Sequence, residues 1–101
     1  MAHAGQEIRG PNQFRLRIDR VEDEVLEMEA SYAEAASLPP EHFHPLQAER
    51  FEVLEGCFLA IIGGAEHRFG TGATFEVPVG TSHQMAAEGP ARLKWEVRPA
   101  L

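Results

Sequence analysis

The residues with the clearest chemical potential lie in one stretch of the 101-residue chain, HFHPLQAERFEVLEG at positions 42–56. His42 and His44 are two positions apart, so both imidazoles point to the same face if the segment is extended. After a turn at Pro45-Leu46-Gln47, a strand that restarts near Glu49 places that carboxylate beside them. Two imidazole nitrogens and a carboxylate oxygen that converge in this way suit a divalent transition metal.

A second stretch, GATFEVPVGTSH at positions 72–83, combines a glycine, a short strand, a Pro-x-Gly turn and a further histidine. Together the two stretches resemble the cupin motifs G-x5-H-x-H-x(3,4)-E-x6-G and G-x5-P-x-G-x2-H-x3-N. The matching positions are His42, His44, Glu49, Gly56, Gly72, Pro78, Gly80 and His83. The resemblance extends over about residues 13–98 and is specific for the fold and the metal site, but not for the reaction.

The resemblance implies an all-β fold, a double-stranded β-helix or jelly-roll barrel. It also implies that His42, His44, Glu49 and His83 are the ligands of one divalent ion. Four protein ligands leave coordination positions open, and open positions permit chemistry. The ligand set tolerates Fe, Mn, Ni, Co or Zn and does not choose among them.

The chain departs from the family motifs at two positions. Ala36 stands where the first motif begins with glycine, and Ala87 stands where the second ends with asparagine. Neither position is a ligand in the family, so the departures concern local backbone shape, because alanine disfavours a positive φ.

Short alternating segments separated by Gly and Pro turns indicate an all-β sandwich or barrel, and Gly63-Gly64 predicts a two-residue hairpin turn. The segment 21–36 is ambiguous, because its Glu and Ala content favours a helix while Leu26, Met28, Ala30 and Tyr32 alternate as in a strand. The resemblance decides for a strand. We expect residues 1–11 to be a flexible arm or an edge strand, and residues 12–101 to form a single domain.

Composition limits the partners and the compartment. The net charge of −7 and the pI near 5.1 argue against binding to nucleic acid or an anionic membrane. The single cysteine, Cys57, cannot form an internal disulfide, and the N-terminal residues lack an apolar signal sequence. These features predict a cytoplasmic protein.

Five residues are candidates for a substrate pocket above the metal: Gln47, Phe51, Tyr32, Met85 and Trp95. Each has a plainer interpretation, since Gln47 fits a surface turn and the others fit a barrel core. Glu49 is the candidate catalytic residue, as a ligand that detaches to act as a base.

Two functions remain open. The leading hypothesis is a metal-dependent enzyme, dioxygenase-like or isomerase/cyclase-like, that acts on a small oxygen-bearing substrate such as an enol, catechol, hydroxy-ketone or sugar acid. The alternative is a non-catalytic module that binds or senses a metal or small ligand. We also expect a homodimer, since the strand at Phe14–Ile18 would otherwise be an exposed sheet edge.

Overall fold

A computed structural model describes residues 3–41 and 45–100 of the chain. Within these ranges the regular structure is a short 3₁₀ turn at Pro11–Gln13 and nine strands. The strands are β1 (Glu7–Arg9), β2 (Arg15–Val21), β3 (Leu26–Tyr32), β4 (Ala48–Glu55), β5 (Cys57–Ile62), β6 (Ala65–Gly70), β7 (Thr74–Val77), β8 (His83–Ala87) and β9 (Ala91–Arg98). None of the described segments forms a helix with the length and hydropathy that a bilayer crossing needs.

The strands form two antiparallel sheets. One has six strands in the order β1-β2-β3-β9-β4-β7, and the other has three in the order β6-β5-β8. The main core cluster combines side chains from both sheets, among them Phe51 and Leu93 from the first and Phe58 from the second. The predicted all-β class is therefore confirmed.

Strand β3 resolves the ambiguous segment in favour of a strand. Its residues pair with β2 on one side and with β9 on the other. Met28 and Ala30 are buried, whereas Glu27 and Glu29, which alternate with them, form ion pairs with arginines of the neighbouring strands. Pairing on both sides and burial of one face outweigh the helical propensity of this segment, which is a weak preference by comparison.

Glycine is required at the end of the first motif. Gly56 has φ +84°, and a Cβ atom built there would lie 2.5 Å from the carbonyl oxygen of Pro90. The predicted hairpin at Gly63-Gly64 is also present, with φ values of 56° and 82° that match a type I′ turn between β5 and β6.

The two departures from the cupin motifs contact each other. The Ala36 N–H donates a hydrogen bond to the carbonyl oxygen of Ala87 at 3.0 Å. Among the described non-glycine residues, Gln13 alone has a positive φ. Ala36 therefore adopts a conformation that does not need glycine, and its segment lies along β8.

The first strand occupies the sheet edge that had been assigned to β2. Strand β1 pairs with β2 at Glu7↔Arg17 and Arg9↔Arg15, so β2 lies between β1 and β3. Strand β1 is therefore an edge strand of this sheet, and β2 is not the exposed edge that the sequence led us to expect. The homodimer itself remains a prediction.

Candidate functional site

Glu49 is the second residue of β4 and points into the barrel. Its backbone pairs with Val77 of β7 and Val97 of β9, so neighbouring strands fix it on both sides. Glu49 is 3% exposed, and Phe51 is buried on the same face, whereas Arg50 between them is exposed. The strand alternation expected from the sequence is observed.

His83 reaches Glu49 from the opposite sheet. It is the first residue of β8, pairs with Ile62 of β5, and is 5% exposed. Its Nε2 atom lies 3.2 Å from Glu49 Oε1, and its Nδ1 atom lies 3.4 Å from the carbonyl oxygen of Thr81. Two of the four predicted ligands therefore meet in the barrel interior, although they are 34 positions apart in the sequence.

The second oxygen of Glu49 is held by a tryptophan. The Trp95 Nε1–H donates a hydrogen bond to Glu49 Oε2 at 2.7 Å. Trp95 lies on β9 directly opposite Phe51 of β4, and the two rings stack with centroids 5.7 Å apart. This contact directs the other oxygen, Oε1, towards His83.

These side chains line a cavity of about 250 Å³. Four of the five predicted pocket residues belong to its lining: Tyr32, Phe51, Met85 and Trp95. Pro39 and Leu93, which sequence reasoning had not proposed as site residues, also line it together with Glu49 and His83. The fifth prediction, Gln47, is not among the described lining residues, and its side-chain amide donates to the carbonyl oxygen of Pro99 at 2.9 Å.

Two larger cavities are also present. One of about 380 Å³ lies among charged residues of β4, β7 and β9, including Arg50 and Arg98, and shares Glu49 with the smaller cavity. Another of about 550 Å³ lies beside Arg9 and Arg15. Of the cavities in the described part of the chain, the 250 Å³ cavity is the one lined by both Glu49 and His83. We therefore take this smaller cavity as the candidate site.

The match to a family model decides the family. Residues 28–97 match the model described as Cupin domain, which covers more than half of the chain and includes both motifs. The chain belongs to the cupin family. The predicted cupin barrel is thereby confirmed.

Solved structures show the same cupin fold. KdgF from Halomonas sp. has a TM-score of 0.81 and 20% identity, with 96% of this chain and 86% of that chain covered. An RmlC-like cupin from Shewanella frigidimarina has a TM-score of 0.84 and 18% identity, with 95% and 85% covered. Pac13 from Streptomyces, described as a nucleoside dehydratase, has a TM-score of 0.76 and 15% identity, with 95% and 77% covered. No curated protein matches the chain in sequence.

The predicted ligand set of this cupin is described only in part. His42 and His44 lie outside the described residues, while Glu49 and His83 lie within them. Within 3–41 and 45–100, no group of three or more His, Cys, Asp or Glu side chains is placed to hold a metal ion. The assignment of all four residues as metal ligands therefore stays a prediction.

Tyr32 is the lining residue of the described cavity that carries a hydroxyl group. Its ring packs against Phe14 and Phe58, with centroids 5.0 and 5.5 Å away. Burial raises the pKa of the Tyr32 hydroxyl above its usual value, because a phenolate would lose its hydration there. Tyr32 therefore remains a neutral hydrogen-bonding group at physiological pH.

Proposed function

We propose that this cupin is a metal-dependent enzyme that acts on a small oxygen-bearing molecule inside the barrel. The observation that carries the proposal is the approach of Glu49 Oε1 and His83 Nε2 to 3.2 Å in the wall of an otherwise largely apolar cavity. His42, His44, Glu49 and His83 would hold one divalent ion.

The separation of the two described donors fits this role. Donor atoms at about 2.1 Å from one ion and separated by about 90–109° lie about 3.0–3.4 Å from each other. The observed 3.2 Å falls within that range. Glu49 and His83 are therefore spaced as neighbouring ligands of one ion would be, before any side chain moves.

The hydrogen bonds around the two donors support the same proposal. When the Nδ1–H of a neutral His83 ring donates to Thr81, the Nε2 atom presents a lone pair towards Glu49, and this is the tautomer that binding of a metal through Nε2 requires. Backbone or side-chain contacts to the outer atoms of metal ligands are typical of metal sites, and here Thr81 and Trp95 provide them.

The side chains of the cavity would divide the remaining tasks. A bound divalent ion would supply Lewis-acid stabilisation of oxyanions, and iron would add chemistry with dioxygen. Glu49 is the one carboxylate of the described lining and would accept a proton from the substrate. Tyr32 would donate a hydrogen bond, and Phe51, Met85 and Leu93 would exclude water from the reacting groups.

Elemental analysis of untagged protein, purified without chelators or added metals, tests metal binding. We expect near-stoichiometric metal in the wild type and its loss in a His42→Ala/His83→Ala double variant. The matched control is His67→Ala, since His67 is exposed on β6, stacks on Phe69 and is not among the described residues that line the cavity. A wild-type protein that arrives without metal and takes up none on addition would refute the proposal.

Tryptophan fluorescence provides a second measurement of metal binding. Trp95 is the only tryptophan, and its indole nitrogen lies 2.7 Å from Glu49 Oε2. Paramagnetic Co²⁺ or Ni²⁺ bound at Glu49 should therefore quench nearly all of the tryptophan fluorescence, with saturation at one equivalent. Turnover of a substrate panel by metal-loaded protein then tests the catalytic part; tight binding of many ligands without any product would favour the binding or sensing module.

A further inference from the structure

The cavity contains no permanently cationic side chain among its described lining residues. The chain has nine lysine and arginine residues, and all of them fall within the described ranges. None of them lines the cavity that holds Glu49 and His83. Each arginine instead forms an ion pair with an acidic side chain.

Strand geometry keeps the nearest cations outside. Arg50 lies between Glu49 and Phe51 on β4, and Lys94 lies between Leu93 and Trp95 on β9. Neighbouring residues of a strand point to opposite faces, so these two side chains project from the outer face of the sheet, where both are exposed. A change of rotamer cannot bring them into the cavity, because that would require a one-residue shift in register.

The charge available to a ligand is therefore small. This step rests on the proposed function: a divalent ion, neutral imidazoles and the Glu49 carboxylate together carry a net charge of about +1. One anionic oxygen at the ion balances that charge. A second anionic group would lie against Phe51, Met85 or Leu93 without a counter-charge, and burying an unpaired carboxylate is costly. The net charge of −7 on the chain adds long-range repulsion of anions.

The size of the cavity limits the ligand further. Sites for drug-sized ligands have volumes of about 300–1,000 Å³. The present cavity, at about 250 Å³, accommodates roughly one substituted ring. Besides Glu49 and His83, the described lining residues with polar side-chain atoms are neutral: Tyr32, and Trp95, whose indole N–H is already bonded to Glu49.

We propose that the substrate is a small oxygen-bearing compound, about the size of one substituted ring, and that it carries no anionic group besides the oxygen group held at the metal. This narrows the substrates that the sequence had left open, because it excludes those that carry a carboxylate or another anionic group away from the metal. A charged ring substituent would have no partner in the walls, whereas a neutral one of equal size would be accepted.

Three probes of one ring test this specificity: catechol, 3,4-dihydroxybenzamide and 3,4-dihydroxybenzoate. The benzamide matches the benzoate in size and shape but carries no charge. Binding to Co²⁺-loaded protein is followed by the visible absorption of the ion and by calorimetry. We expect catechol and the benzamide to bind and the benzoate to bind about 100-fold more weakly than the benzamide, owing to its uncompensated charge.

The outcomes separate this inference from the function on which it rests. Protein that retains no Co²⁺ refutes the proposed function and the specificity with it. Protein that holds Co²⁺ but binds the benzoate as tightly as the benzamide, or binds none of the three probes, overturns the specificity alone and leaves metal binding intact.

A cation placed in the wall should reverse the preference. Met85→Arg adds a guanidinium on the cavity side of β8 and should strengthen benzoate binding at least about tenfold without improving benzamide binding. The matched control is Thr74→Arg, which changes the net charge equally from an exposed position on β7 and should leave the ratio unchanged. Equal gains in both variants would mean that overall charge, not the cavity wall, sets the ratio. The wild-type comparison decides the proposal even if Met85→Arg does not fold.

Discussion

Replacing Trp95 with phenylalanine tests whether the indole N–H orients Glu49. The change removes the donor that lies 2.7 Å from Glu49 Oε2 but keeps an aromatic ring that can stack on Phe51. We expect the metal-free protein to lose stability and the site to bind metal more weakly. The first effect reports the hydrogen bond, and the second reports the orientation of the ligand.

The size of each effect follows from the contacts. A hydrogen bond to a charged group contributes about 1.5–3 kcal/mol, and the smaller ring leaves some space unfilled. For a loss of about 2 kcal/mol, the midpoint of thermal unfolding of a domain of this size should fall by about 8–16 °C. Loss of a partner that orients a metal ligand typically weakens metal binding about 10–100-fold.

A double-mutant cycle with Glu49→Gln isolates the charge-assisted part of the contact. Glutamine keeps an acceptor oxygen but not the charge, so Trp95→Phe should cost at least about 1 kcal/mol less in that background. Thermal and urea unfolding of all four metal-free proteins measure the cycle, and calorimetric titration with Co²⁺ compares Trp95→Phe with wild type. Equal costs in both backgrounds, together with unchanged Co²⁺ affinity, would refute the orienting role of Trp95.

Three further predictions concern the fold and the surface. In urea unfolding, Gly56→Ala should destabilise the protein by at least about 2 kcal/mol more than Gly72→Ala. Both glycines have φ near +85–90°, but of the two only Gly56 would bring a Cβ against neighbouring atoms, including Pro90 O at 2.5 Å. Equal losses of stability in the two variants would contradict this clash. The Cys57 thiol donates to Glu88 at 3.2 Å, and this contact raises the thiol pKa above its usual value. The thiolate fraction is therefore lowered at any pH below that pKa, and Glu88→Gln should speed alkylation by iodoacetamide at pH 8, whereas an unchanged rate would contradict the cause assigned to the pKa. Light scattering should give the mass of a homodimer, and a clean monomer would refute that prediction.

The sequence predicted the strands well where burial of one face and turn chemistry agree. The Gly63-Gly64 hairpin is an example, because two adjacent residues with positive φ and apolar strands on either side leave few alternatives. Segment 21–36 shows the opposite case. Its composition favours a helix, and only the pairing of β3 with both β2 and β9 makes it a strand. Such pairing is a long-range property that local propensity does not contain.

The candidate site was predictable to the extent that it depends on strand alternation. The inward direction of Glu49 and Phe51 follows from parity, and so does the place of Trp95 on the cavity side of β9. The hydrogen bond from Trp95 to Glu49 does not follow, because it depends on the register that sets Phe51 opposite Trp95. Gln47 shows the limit of parity: it precedes β4, and its side-chain amide bonds to Pro99.

The same sheet geometry holds the Glu49 side chain in place and keeps lysine and arginine side chains out of the described cavity lining. A stack of rings runs from Phe69 on the smaller sheet through Phe75 and Phe51 to Trp95, with centroid distances of 4.1, 4.9 and 5.7 Å. The indole that orients Glu49 is therefore fixed by core packing, so its ordering is completed when the chain folds and not when a ligand binds. The alternation that buries Phe51 and Trp95 also directs their strand neighbours, Arg50 and Lys94, outward. A preorganised carboxylate and an interior without guanidinium or ammonium groups are thus two consequences of one strand register, and a carboxylate-binding version of this site would need a new cation on the inner face.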